Sequence, residues 1–455
     1  MASPATTGLR RSRRGVRWVA VAAAVQLTAG VVTAVRLDTA GPPSAPAATR
    51  ARAVPAPVDL ATEARRVRTE GVEELLAQRS AAVLGRDRAA FLATVDPAAT
   101  ALRARQAEVF DALSQVPLGS WDYVLEPASE RPPDGVLDTR YGRGQWWAPD
   151  VSLRYALEGF DDRPTSAAHH LTFVRRGTQW LLAADDDFAA VGRPTPDALW
   201  DRGPVVAVRA PGTLALGHPE SAALVRDVAA LASAAIPRVS AVWGQQWQRE
   251  VVVVVPRDTA EMAGLLGSDG DLSRIAAVAT AELQDGDYDP AGDRVLVNPA
   301  PFATLSKLGR QVVLTHEVTH VATRAATGPG MPAWLAEGLA DAIAYRDVDV
   351  PLAVSARELR ADVRAGRLPT RLPRDADFAG SNPNLAQAYE QAWLAVRLLA
   401  ERHGDASLLR FYRAVGAARD VDGDLAVETA LERELDTTPE ALVADWQAAL
   451  GRQLG

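Results

Sequence analysis

The chain has 455 residues, of which 48% are hydrophobic and 23% charged, so it can bury a core and is long enough for more than one domain. It contains no cysteine, which excludes disulfides, thiolate zinc sites, iron–sulfur clusters, thiol nucleophiles and a lipid-modified N-terminal cysteine. Any metal must therefore be held by His, Asp or Glu, and the chain has six histidines. The net charge of −8 argues against nucleic acid as the main partner, because binding phosphates requires clustered positive charge.

The N-terminal segment, residues 1–57, differs in charge from the rest of the chain. It contains eight arginines and one acid, a net charge of +7, whereas the remainder has 41 basic and 56 acidic residues, a net charge of −15. Five of the arginines precede an uncharged run from Trp18 to Val35, which predicts a membrane helix or a signal peptide, with the body of the protein outside the cytoplasm. A disordered basic tail followed by a buried helix is the alternative. The Pro/Ala-rich residues 41–57 predict a semi-extended linker.

Residues 58–195 predict an α+β domain, with helices first and an antiparallel sheet after them. Two amphipathic helical segments are followed by four stretches that alternate or are rich in β-branched and aromatic residues. The segments GRDRAAFLATVDP and TQWLLAADDDF resemble the nuclear-transport-factor-2-like cone fold, a resemblance that implies no particular activity. His169 and His170 would point to opposite faces of one strand, which disfavours a metal ion shared by both.

A second domain is predicted over residues 204–455, beginning with a strand pair, a helix and the buried strand REVVVVVP. The acids of Asp285–Asp293 alternate as in a calcium loop. Pro290 and Leu296, however, stand where an EF-hand needs its glycine and its bidentate glutamate. A solvated hairpin loop is the expectation for this stretch.

The segment LTHEVTHVATRAATGPGMPAWLAEGLADAIAY carries a metal-binding pattern. His316 and His320 are four residues apart, so on a helix both imidazoles project from one face and can ligate zinc. Glu317 follows the first histidine and can serve as a general base toward a water molecule at the fourth position.

The third ligand is expected on the next helix. Residues 323–330 predict a break between two helices, with Gly328-Pro329-Gly330 ending the first, and Pro332 predicts the start of the second. Glu337, seventeen residues after His320, then completes a His₂Glu site. Ala326 stands where a metzincin needs its third histidine, which excludes that class.

These residues resemble the gluzincin clan of metallopeptidases, of thermolysin and aminopeptidase N kind. They are most similar to the bacterial peptidase-MA-like branch, with its HE-x-x-H…W-L-x-E-G-L-A form. The resemblance implies a zinc peptidase fold, although the spacing to Glu337 is slightly shorter than in the best-known members. It further implies that Asp341 hydrogen-bonds a zinc histidine and that Tyr389 stabilises the oxyanion. A solvated helix acid and a core tyrosine are the respective alternatives.

The sequence therefore predicts an exported zinc peptidase that acts on peptides or proteins. It would be tethered to the cell membrane by one N-terminal helix, or secreted if that segment is cleaved. The cone-like domain is expected to position the substrate or to cover the site. Two alternatives remain, a non-enzymatic cell-envelope binding module with a relic zinc fold and a zinc hydrolase of a non-peptide bond.

Overall fold

The computed structural model describes five segments of the chain, residues 17–21, 60–126, 134–283, 291–418 and 422–455. Helices and sheets are mixed along these segments, in agreement with the α+β class. The predicted linker, residues 41–57, lies outside them.

The run Trp18–Val35, which was predicted to be a membrane helix, begins as a β-strand. Its first residues belong to a short strand, β1 (Arg17–Val21), and residues 22–35 lie outside the described segments. Among the helices of the described residues, none combines the length and the apolarity needed to cross a membrane.

An N-terminal body, residues 60–201, contains helices packed on two small antiparallel sheets. One sheet has the order β2-β4-β5 and the other β3-β6-β7. The helices are α1 (Leu60–Leu84), α2 (Arg88–Ala93), α3 (Thr100–Leu113) and α4 (Gly135–Tyr141). The strands are β2 (Leu118–Glu126), β3 (Trp146–Trp147), β4 (Asp150–Leu157), β5 (Thr165–His169), β6 (Thr172–Arg176) and β7 (Gln179–Ala184).

The tandem histidines of this body do not share a strand, contrary to the prediction. His169 ends β5, and His170 lies in the connection to β6. Burial lowers the pKa of His169 to about 4.

A six-stranded mixed sheet forms the centre of the molecule, with the order β1-β11-β12-β10-β9-β8. β10 runs parallel to both of its neighbours, whereas β11 is antiparallel to β12 and to β1. The strands after β1 are β8 (Val206–Ala210), β9 (Thr213–Gly217), β10 (Val251–Val255), β11 (Ala277–Leu283) and β12 (Ala291–Val297).

The helices of the C-terminal body, residues 206–455, are α5 (Ala222–Trp243), α6 (Thr259–Leu266), α7 (Pro299–Thr304), α8 (Lys307–Thr323), α9 (Ala333–Ala344), α10 (Leu352–Ser355), α11 (Arg357–Arg364), α12 (Leu385–His403), α13 (Asp405–Ala417), α14 (Gly423–Leu435) and α15 (Pro439–Leu454). Most of these helices pack on one face of this sheet and on one another, whereas α6 places Met262 and Leu266 in the core cluster of the opposite face. Two of these helices, α8 and α9, carry the predicted metal ligands, and α8 is the longer of the two.

The two faces of the six-stranded sheet are buried against different partners. Because side chains alternate along a strand, Val253 of β10 and Val295 of β12 face the helices, in one core cluster with Leu314 of α8. Their neighbours on the other face join a cluster with N-terminal residues such as Trp121 and Phe160. The sheet residues of that second cluster are Leu214, Leu216, Val252, Val254, Val278 and Leu296.

The N-terminal body therefore packs on the back of the sheet, on the face opposite α8, and its predicted role in positioning the substrate or covering the site stays a prediction. Asp161 of this body accepts two hydrogen bonds of 2.7 Å from Arg294 of β12, and the two side chains are 2% and 8% exposed. Thr165 packs directly over Gly292, where an added Cβ would lie 1.9 Å from the threonine methyl group. Glycine is required there, since its φ is +65° as well.

Candidate metal centre

Helix α8 presents both histidines of the motif on one face. Ser306 caps its N-terminus by accepting a hydrogen bond from the backbone N–H of Gly309. The second half of the helix is buried, and His316 and His320 are 8% and 2% exposed. Their Nε2 atoms lie 3.0 Å apart.

Glu337 reaches the same point from α9. Its Oε2 atom lies 3.0 Å from Nε2 of His316 and 3.4 Å from Nε2 of His320. The next residue, Gly338, allows this approach, because a Cβ there would lie 2.5 Å from the carbonyl oxygen of Ala392 in α12. The close packing of α9 against α12 thus depends on a glycine beside the metal ligand.

The three atoms fit a tetrahedral metal site. They lie 3.0–3.4 Å from one another. Two ligands bound to zinc at its usual bond length and tetrahedral angle are about 3.3 Å apart. Two imidazoles and one carboxylate form a donor set that zinc prefers, with one position left open. Within the described segments, this is the one group of three such residues that could hold a metal ion.

Asp341 orients the first histidine. Its Oδ1 atom lies 2.8 Å from Nδ1 of His316, on the side of the ring away from Glu337. With the proton on Nδ1, the ring donates to Asp341 and directs the lone pair of Nε2 toward the metal position. The structure thus brings together all three predicted ligands and the acid expected behind them.

Charges within the group are strongly coupled. Burial alone would lower the pKa of His316, but Asp341 and Glu337 raise it well above its ordinary value. Burial opposes ionisation of Glu337, but His320 and His316 hold its pKa at about 2. In the metal-free protein a proton on His316 therefore occupies the position that a cation would take, so metal and proton compete.

Glu317 is held against the sheet. Its Oε2 atom accepts a hydrogen bond of 2.7 Å from the backbone N–H of Ala279 in β11. The side chain is 3% exposed, and burial raises the pKa of this carboxyl to about 7 although His316 and the Ala279 N–H act in the opposite direction. A pKa near neutrality suits a group that takes up and releases a proton.

Tyr389 lies on α12 in the wall of the same site. Its ring centroid is 6.3 Å from that of His316 and 5.2 Å from that of Phe378, against which the tyrosine packs edge to face. It also packs against the main apolar cluster, as a core tyrosine does, whereas its role toward the oxyanion stays a prediction.

Some features of the site were not foreseen. The predicted break over residues 323–330 begins where α8 ends, at Thr323, but the sequence did not predict the short 3₁₀ turn, Arg324–Ala326, that separates the helix from the glycines at 328 and 330. Asp293, expected in a solvated loop, lies in β12 and accepts a hydrogen bond from Arg324. Residues 284–290 of that expected loop lie outside the described segments. In the sequence, the spacing of four residues from His320 to Arg324 could have indicated that Arg324 lies on the same side of the helix as the two histidines.

Comparison with known proteins gives a distant match. No protein-family model and no curated protein matches the chain. A solved structure of a two-domain M1 zinc metallopeptidase, a point mutant bound to L-arginine, is similar with a TM-score of 0.31 and 17% sequence identity. The match covers 60% of this chain and 58% of that chain. A similarity this distant assigns no activity, so the function proposed below depends on the geometry of the site.

Proposed function

We propose that the protein is a zinc-dependent peptidase. The observation that carries this proposal is the convergence of His316, His320 and Glu337 beside a buried carboxyl, Glu317, which is fixed by a strand N–H and has a pKa near 7. The three ligands would hold zinc. When bound, zinc polarises a carbonyl group and lowers the pKa of water, which makes attack on an amide possible near neutral pH.

Residues of the chain would provide the proton transfers and the positioning. Because Oε2 of Glu317 already accepts a hydrogen bond from the backbone N–H of Ala279, we assign Oε1 as the atom that takes a proton from the attacking water. As the C–N bond breaks, the same carboxyl returns that proton to the leaving nitrogen, which yields a carboxylate and an amine. Asp341 keeps His316 in the required tautomer, and the hydroxyl of Tyr389 donates to the oxyanion.

Metal analysis and peptide turnover test this function. The purified full-length protein is expected to contain one equivalent of zinc, to cleave members of a peptide library and to lose cleavage with a chelator. Glu317→Gln should bind zinc but cleave at least about 1,000-fold more slowly, since it cannot accept the proton. Glu220→Gln, at an exposed glutamate paired with Arg257, is the control and should keep the wild-type rate.

The remaining outcomes identify the alternatives. Zinc binding without cleavage that depends on Glu317 would favour a binding module with a relic site. Cleavage confined to non-peptide substrates would favour a zinc hydrolase of another class. The completeness of the ligand set and the fixed position of Glu317 support the peptidase.

We also propose that the protein is exported and tethered by its N-terminal segment. The support is the charge of +7 over residues 1–57, with five arginines clustered before the uncharged run Trp18–Val35. Cell fractionation tests this proposal. The full chain should sediment with membranes and be digested by protease added outside the cytoplasmic membrane, whereas a chain lacking residues 1–57 should stay inside. Protection of the full chain from the protease would contradict export.

A further inference from the structure

Arg324 extends the row of metal-site residues on α8. It is the first residue after the helix and follows His320 by four positions, as His320 follows His316. Four residues of helix rise about 6 Å. Burial has the largest effect on the pKa of Glu317, which it raises, and on that of His320, which it lowers. The positive charge of Arg324 lowers both pKa values, so it acts on the metal site.

Asp293 fixes the inner part of this guanidinium. Nε of Arg324 donates to Oδ1 of Asp293 over 2.8 Å. Asp293 precedes Arg294 in β12, and the two side chains point to opposite faces of the sheet, so Asp293 faces the helices. The guanidinium is thereby held on the same side of the sheet as the metal centre.

In the part of the chain that the structure describes, the Nη2 atom of this guanidinium lacks a hydrogen-bond partner. Arg324 is 8% exposed, and its Nη2 atom is buried without a hydrogen bond among the described residues. Arg294 is equally buried, but both of its Nη atoms bind Asp161. A buried charged donor without an acceptor is unfavourable, and such groups are rare unless a ligand or water completes them.

We propose that Arg324 binds a carboxylate of the substrate, an Asp or Glu side chain within about two residues of the cleaved bond. A guanidinium whose Nε is anchored presents its Nη atoms as a fork, which matches a carboxylate in geometry and charge. An extended peptide advances about 3.3 Å per residue, so the 6 Å beyond His320 corresponds to about two residues. The inference rests on the proposed peptidase function and adds a preference for acidic substrates.

Paired peptides test this preference. Each pair differs only by Glu or Gln at one of the positions flanking the cleaved bond, and kcat/KM is measured with the full-length zinc protein. We expect the wild type to favour Glu about 10- to 100-fold at one position, the usual effect of a charged hydrogen bond. In Arg324→Gln that ratio should fall toward 1, and in Arg324→Lys, which keeps the charge but not the fork, it should be intermediate.

Arg310→Gln is the matched control. Arg310 lies on α8 and likewise has one buried nitrogen, Nε, without a partner among the described residues, but it packs over Phe302 and binds the carbonyl oxygen of Ala303. This variant should keep the wild-type ratio. An Arg324→Gln protein that loses activity equally on both members of a pair, or keeps the wild-type ratio, would overturn the inference.

Binding measurements separate this inference from the proposed function. Glu317→Gln protein is titrated calorimetrically with the Glu and Gln peptides, with and without the additional Arg324→Gln change. The Glu peptide should bind about 10- to 100-fold more weakly when Arg324 is replaced, and the Gln peptide should change little. Failure of the wild type to cleave any peptide would contradict the peptidase alone, whereas equal binding of both peptides would contradict the role of Arg324.

Discussion

The two faces of the six-stranded sheet bury charge in different ways. On the back face, Arg294 and Asp161 form a complete ion pair with two hydrogen bonds inside an apolar cluster. On the helix face, the adjacent residue Asp293 accepts a hydrogen bond from Nε of Arg324, whose Nη2 has no partner among the described residues, and Glu317 is a buried carboxyl with a raised pKa. Satisfied polar groups stabilise an interface, whereas incompletely satisfied ones mark positions where a ligand acts.

The largest expected effect concerns the back face as a whole. A truncated protein of residues 204–455 would uncover much of the back face, where six sheet side chains pack against the N-terminal body as well as against α6. At about 1.5–3 kcal/mol for each buried side chain, the loss is on the order of 10 kcal/mol, comparable with the entire stability of a domain. We expect no cooperative thermal transition by circular dichroism. A soluble truncated protein with a sharp transition would show that the two bodies fold independently.

Breaking the ion pair of the back face should have the next largest effect. Arg294→Met leaves Asp161 buried and unpaired, and the free energy of unfolding should fall by about 3–5 kcal/mol in denaturant titrations. Adding Asp161→Leu should restore most of that loss. Arg88→Met, which breaks the exposed pair with Asp111, is the control and should cost less than about 1 kcal/mol. A change in zinc affinity of the folded Arg294 variant would contradict the separation of the two faces.

On the helix face, Glu317 should make stability depend on pH. Its folded-state pKa of about 7 lies above the ordinary 4.5, so its stabilising contribution is complete below pH 4.5 and is lost as the pH rises through 7. Metal-free Glu317→Gln lacks this loss. It should equal the wild type below pH 4.5 and exceed it above pH 7 by about 3–4 kcal/mol, at about 1.4 kcal/mol per pKa unit. Denaturant titrations across pH measure this, and a difference independent of pH would contradict it.

The smallest expected effect concerns the orientation of a single ligand. Asp341→Asn removes the carboxylate that binds Nδ1 of His316, and zinc affinity should fall about 10- to 100-fold, or about 1.4–2.7 kcal/mol. Competition with a chromophoric chelator measures this affinity. Asp347→Asn, at an exposed acid just beyond α9, is the control and should leave it unchanged. Equal affinities in the two variants would show that Asp341 does not orient His316.

Patterns within single elements were predictable from the sequence. The spacing of His316 and His320 depends only on helical periodicity, and Pro332 precedes α9 as expected. The buried strand β10 and the strand pair of β8 and β9 were recognisable from their residue types. Such features depend on interactions between neighbours in sequence, which periodicity describes directly.

Features that depend on the approach of distant segments were not predictable. Ala279 and Glu317 are 38 residues apart in sequence, and only the packing of α8 under β11 brings the N–H of one to the carboxylate of the other. The same holds for Asp293, which appeared to be a loop acid, and for the N-terminal body, whose position behind the sheet no local pattern indicates.

The sequence by itself determined the chemistry available to this protein. The absence of cysteine and the order of His316, Glu317, His320 and Glu337 limit it to a metal site of nitrogen and oxygen ligands with an adjacent carboxyl. Only the tertiary structure decided how that site is supported, by Asp341 behind a histidine, Ala279 on the carboxyl and Arg324 at the edge. The physical reason is that residue types set which bonds can form, whereas pKa values and unpaired donors depend on burial and distance, which arise only when the chain packs.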